Sequence, residues 1–123
     1  MDKRALEEAL AAFTSPLAAL RHWTRSFHYT EGVKFLAEHA GAHWLLDYIA
    51  ARQKLARKDR RLRDLQRWVI KKTDTRYVRI ACCRESSEKV FHEDVQLLGE
   101  FPLEEITLYL ESETLMLPSE RRS

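Results

Sequence analysis

The sequence predicts an α+β domain: N-terminal helices packed on one face of a four- or five-stranded antiparallel sheet formed by the C-terminal half. Three observations predict it. A stretch from Thr30 to Arg52 carries apolar residues at helical spacing, with Val33, Leu36, Ala37, Ala40 and Trp44 on one line and Phe35, Ala42, Leu45, Leu46 and Ile49 widening it. From residue 65 onward the pattern changes to alternation with a period of two. Finally, 123 residues with 45% hydrophobic and 33% charged side chains suit one folded domain, taken as residues 1–123.

Taken in order, residues 2–13 read as an amphipathic helix with Leu6, Leu10 and Phe13 on one face. Ser15 and Pro16 have the chemistry of a helix cap and a first helical residue, which predicts a short helix over 16–23. After a linker over 24–29, Thr30 can accept a hydrogen bond from the first free amides of a helix, and Glu31 suits its positive end. The run QKLARKD contains no breaker, so this central helix is expected to span 30–58. Strands are expected at 65–72 with Trp68 and Ile70 on one side, at 76–83 with Val78, Ile80 and Cys82, and at 90–98 with Phe91, Val95 and Leu97. A last hairpin is expected from 105–111 and 114–117. A helix starting at Pro102 is the alternative there, and the alternation of Ile106, Leu108 and Leu110 argues against it. Trp23, Trp44, Trp68 and Phe101 fall on apolar phases and are expected in the core.

No run approaches the length of about 18 apolar residues that a membrane span requires. The N-terminus lacks the apolar core of a signal peptide, so a cytoplasmic location is expected and no membrane partner. Cys82 and Cys83 are adjacent, a spacing that suits neither a disulfide nor a zinc site and predicts reduced thiols. Charge is laid out in blocks. Residues 52–79 hold twelve Lys or Arg against three Asp or Glu, and residues 80–123 hold four against ten. That asymmetry invites a polyanion, or matching within the molecule.

Four blocks carry a resemblance: Arg21-His22-Trp23, the stretch YTEGVKFLAEHAGAHWLLDYIA at 29–50, LQRWVI at 65–70, and FPLEEITLYLESETLMLPSE at 101–120. On these the chain resembles a family of small bacterial proteins of unknown function, also found on plasmids and phage-like elements. The resemblance implies an architecture and an origin and brings no activity with it.

Three groups of residues could carry chemistry. His39, His43 and Asp47 stand four apart and would share a stripe of one long helix, a spacing that presents ligands to a metal. The sequence between them lacks the glutamate of a zinc-protease motif, so no metal and no cofactor are expected. Asp47 interrupts an apolar run, where a buried carboxylate needs a donor. His22, His28, Arg21 or Trp23 could supply it as a structural hydrogen bond, and His22 or His28 could instead form an acid–base pair with it. The basic segment offers Arg52, Lys54, Arg57, Lys58, Arg60, Arg61, Arg63 and Arg67 to phosphates, with no aromatic nucleic-acid signature beside it. Arg79 and Arg84 flank the cysteines and could lower a thiol pKa, but no base is signalled.

The leading expectation is a non-enzymatic binding or regulatory module that acts through a protein partner. On a phage-like element, its job would be inhibition of a host defence or regulatory complex. The alternative is a nucleic-acid-binding accessory protein using residues 52–67. A second alternative is an enzyme built on Asp47 with His22 or His28. The sequence sets no oligomeric state.

Overall fold

The structure is a computed structural model, and it describes residues 2–14, 19–84 and 88–121. Helix α1 (Lys3–Ala11) starts at Asp2, whose carboxylate accepts from the Ala5 amide at 2.8 Å. Two short strands follow, β1 (Ala19–Arg21) and β2 (His28–Thr30), and then helices α2 (Glu31–His39), α3 (His43–Ala51) and α4 (Gln53–Ala56). A 3-10 turn at Arg60–Leu62 leads into β3 (Leu65–Lys72), β4 (Tyr77–Cys83), β5 (Lys89–Gln96), β6 (Glu105–Glu111) and β7 (Thr114–Met116). A second 3-10 turn, Pro118–Glu120, follows β7. The class is α+β. The sheet has seven strands rather than four or five, in the order β1-β2-β7-β6-β3-β4-β5, and β2 runs parallel to β7.

The two extra strands correct the helix expected over 16–23. Residues 16–18 lie outside the described residues, and Ala19–Arg21 are extended, with Leu20 opposite Tyr29 across a hairpin. Three-residue strands are too short to show an alternation. The backbone of β2 finds its second partner in β7, more than eighty residues further along the chain.

The helix expected over 30–58 is three helices. Thr30 does cap the first, accepting from the Val33 amide at 3.2 Å. That helix ends at Gly41, whose φ of 61° is a left-handed conformation that costs glycine nothing. The Ala42 amide turns back to the Ala37 carbonyl at 2.9 Å, closing the end as a Schellman motif. A second, milder break falls at Arg52, and the last turn of α4 ends at Ala56.

Alternate strand residues face the helices. Trp68 lies opposite Cys82 and Leu108, and Ile70 opposite Ile80, all of them buried with Val33, Leu36, Leu45 and Ile49. The Trp68 indole N–H donates to the Gln66 side chain at 2.9 Å, and Gln66 and Gln53 exchange amide hydrogen bonds at 2.8 and 2.9 Å. This buried amide pair joins α4 to β3 with every polar atom satisfied.

The chain's end locks onto α2. Glu120 is fully buried, and its carboxylate accepts from the Thr30 hydroxyl (2.6 Å), the Leu117 amide (2.9 Å) and the Gly32 amide (3.3 Å). A Cβ at Gly32 would stand 2.7 Å from that carboxylate and from a Leu117 methyl, so the close approach needs glycine. No helix among the described residues is long and apolar enough to cross a membrane.

Candidate functional site

Strand β5 pairs with β4 alone, so its outer edge is one of the two open ends of the sheet among the described residues, β1 being the other. Beside that edge lies a groove of about 860 Å³. Its helical wall is Tyr48, Ala51, Arg52 and Leu55, its strand wall is Val90 to Glu93, and Leu62 lies at its base. Leu55 is 63% exposed although apolar, and it projects from α4.

Glu93 ties the two walls together. It faces the helices because its partner in register, Ile80, does. It accepts hydrogen bonds from the Tyr48 hydroxyl and from the Arg52 guanidinium at 2.7 Å, and Arg52 stacks over the Tyr48 ring at 3.8 Å. These two donors, Tyr48 first, hold the Glu93 carboxyl below its ordinary pKa. Burial, with the hydrogen bond to Glu93, pushes the Tyr48 phenol up. Asp59, on the same rim, is lowered to about 2 by the Arg61 guanidinium bonded to it. The carboxylates at the rim are therefore paired. Lys58 and neighbouring Lys54 make no ion pair among the described residues, so the charge left over is positive.

The segment from Arg52 to Arg67 does not form one basic helical stripe, because the helix ends at Ala56. Arg52 serves Glu93. Arg57 donates to the Ser26 carbonyl at 2.6 Å, and Arg63 to the Arg57 carbonyl at 3.1 Å. Arg61 pairs with Asp59 and lies 3.8 Å from Glu88. Arg60 makes no ion pair among the described residues, and Arg67 lies on the sheet face away from the helices. The basic block is thus partly matched within the molecule.

The structure brings Asp47 and His22 together, but not in the core. The Asp47 side chain is 52% exposed, while His22 is buried. Asp47 Oδ1 accepts from His22 Nε2 and from the Trp23 indole N–H, both at 2.8 Å. The Thr24 amide donates to His22 Nδ1 at 3.2 Å, which places the ring proton on Nε2, toward Asp47. The Thr24 hydroxyl lies 2.7 Å from Nδ1 and 2.8 Å from the Ser26 hydroxyl. His28 stands apart in β2, opposite Arg21, with no hydrogen bond to either residue. The cavities beside α4, between Arg57 and Glu113, and at Gly41–Trp44 are lined by other residues, so this line of hydroxyl, imidazole and carboxylate faces no cleft among them.

Trp23 corrects the expectation of a core residue: it is 77% exposed, at the tip of the β1–β2 hairpin. Sequence phase missed this because the segment is a hairpin, not a helix. His39 and His43 fall on either side of the Gly41 break, so the predicted ligand stripe does not exist. No group of three or more His, Cys, Asp or Glu among the described residues could hold a metal ion. The thiols are buried; burial pushes Cys82 up to about 12 and raises Cys83. Both are protonated at neutral pH, the opposite of an activated nucleophile.

The model of a family of unknown function, DUF6876, matches residues 4–121. The chain belongs to that family. The match runs from α1 past the turn that carries Glu120, so the groove, the hairpin and the capped α2 of this family member all lie within it. No curated protein matches the chain, and no solved structure does.

Proposed function

We propose that the protein is a non-enzymatic binding module that takes up an extended segment of a partner protein along β5. The observation that carries this reading is the coincidence of an unpaired strand edge with an apolar groove at its side. An open edge offers backbone donors and acceptors to an incoming strand, and pockets for alternate side chains supply selectivity. Here Leu55, Leu62 and Phe91 would receive an apolar side chain. The unpaired lysines Lys54 and Lys58 favour an acidic residue beside it. The resemblance to proteins of phage-like elements makes a host defence or regulatory complex the source of that segment in this reading.

The test is selection of random peptides on the protein, followed by affinity measurement against Leu55→Asp. Leu55 is exposed, so this variant keeps its melting temperature. The expected result is extended, acidic and apolar peptides that bind the variant at least tenfold more weakly. Selected peptides that bind the variant as well as the wild type, or no selection at all, would refute the groove.

A further inference from the structure

The hairpin tip carries a second surface. Trp23 presents its indole to solvent, yet the ring is not loose: its N–H is held by Asp47 at 2.8 Å, and the His22 ring lies 5.6 Å away. The backbone beneath it is equally constrained. The Arg25 amide donates to the His22 carbonyl at 2.8 Å, and Arg25 adopts a φ of 63°. Arg21 and Arg25 stand two residues either side of Trp23 in the chain, both exposed and both without an ion pair among the described residues, and no acid occurs from Ala19 to Thr30. Two more guanidinium groups arrive from the basic segment. Arg57 reaches the hairpin at the Ser26 carbonyl, and Arg63 is bonded to the Arg57 carbonyl. Arg57 and Arg63 also line a cavity of about 250 Å³ with Gln66, Leu110 and Glu113.

We infer that this face binds a single-stranded nucleic acid, with a base stacked on Trp23 and the backbone phosphates met by Arg21, Arg25, Arg57 and Arg63. An immobilised, exposed aromatic ring among cations is the combination that single-strand binding uses. The π-face takes any unstacked base, and the cations follow the backbone. The aromatic partner that residues 52–67 lack in sequence is supplied by a residue some thirty positions earlier. Two carboxylates share the face. Asp47 has one oxygen occupied by two donors, and Glu113 lines the cavity together with Arg57 and Arg63. A duplex is disfavoured because its bases are already stacked.

The probes are fluorescein-labelled twelve-nucleotide oligo-dT and oligo-U, followed by anisotropy at low salt, with intrinsic tryptophan emission read in parallel. Binding is expected to quench part of that emission, to weaken steeply with added salt, and to weaken about tenfold or more in Trp23→Ala. Trp23→Phe retains most of the affinity and loses the quenching, since Trp68 is buried and Trp44 lines a different cavity, with Gly41, Val95 and Leu97. Arg21→Ala and Arg25→Ala each lower the salt slope by about one. Arg79→Ala, which removes a cation paired with Asp94 on the sheet, leaves binding unchanged. Absence of binding at low salt, or binding that Trp23→Ala does not alter, would overturn the assignment. So would equal binding of a duplex of the same length. None of these results bears on the β5 groove, which Leu55→Asp tests alone.

Discussion

Asp47 serves two donors with one oxygen, and the two stand in different surroundings. His22 is 4% exposed and has only Asp47 for its Nε2–H, whereas the Trp23 indole could be hydrated if released. Removing the carboxylate therefore strands a buried donor, at a cost of about 1–2 kcal/mol. Asp47→Ala should lose that much in urea denaturation, and Asp47→Asn, which keeps an acceptor, should lose less. An unchanged midpoint in Asp47→Ala would mean that His22 is satisfied some other way. The sequence marked Asp47 as an oddity because a charge interrupts an apolar run, and His22 stood among its candidate donors. It did not reveal that the carboxylate lies at the surface while His22 is buried, since that depends on the hairpin that carries His22. Trp23 was misplaced for the same reason.

At the scale of elements, α2 depends on the residue just before it and on one some ninety positions further along the chain. Its first turn is capped by Thr30, and its amides meet the buried carboxylate of Glu120. Because Gly32 packs against that carboxylate and Leu117, Gly32→Ala must push one of them aside. Overpacking of this kind costs about 1–3 kcal/mol. Thermal unfolding checks this, and an unaltered melting temperature would contradict the close approach. The end of α2 was written in the sequence as Gly41, a residue suited to the left-handed position after a helix. The apolar stripe across it made the helices read as one, since Trp44, Leu45 and Ile49 continue the same core. Strands β3 to β6 show in the alternation of Trp68, Ile80, Phe91 and Leu108. Strands β1 and β2 owe their form to pairing with β7, a contact no local pattern records.

For the whole molecule, helices cover one face of the sheet, and the two proposed binding surfaces lie at its margins: where α3 and α4 meet the β5 edge, and at the β1–β2 hairpin. Among the described residues the large apolar side chains left exposed are Trp23, Leu55, Tyr77 and Leu98, and the first two mark these surfaces. The opposed charge blocks were legible in the sequence, but their partners were not. Arg52 with Glu93 and Arg61 with Asp59 consume part of the basic segment, leaving Lys54 and Lys58 exposed without an ion pair among the described residues. The groove itself was invisible, because Tyr48, Leu55 and Phe91 meet only once α3, α4 and β5 are assembled. The central claim is that a partner segment adds to the sheet as a neighbour of β5. Amide hydrogen exchange of the free protein and of its complex with a selected peptide tests it most directly. The expected result is that the outward-facing amides of Lys89–Gln96, those that do not bond β4, exchange quickly in the free protein and become protected on binding, with β3 unchanged; protection confined to the helices, or none in β5, would contradict it.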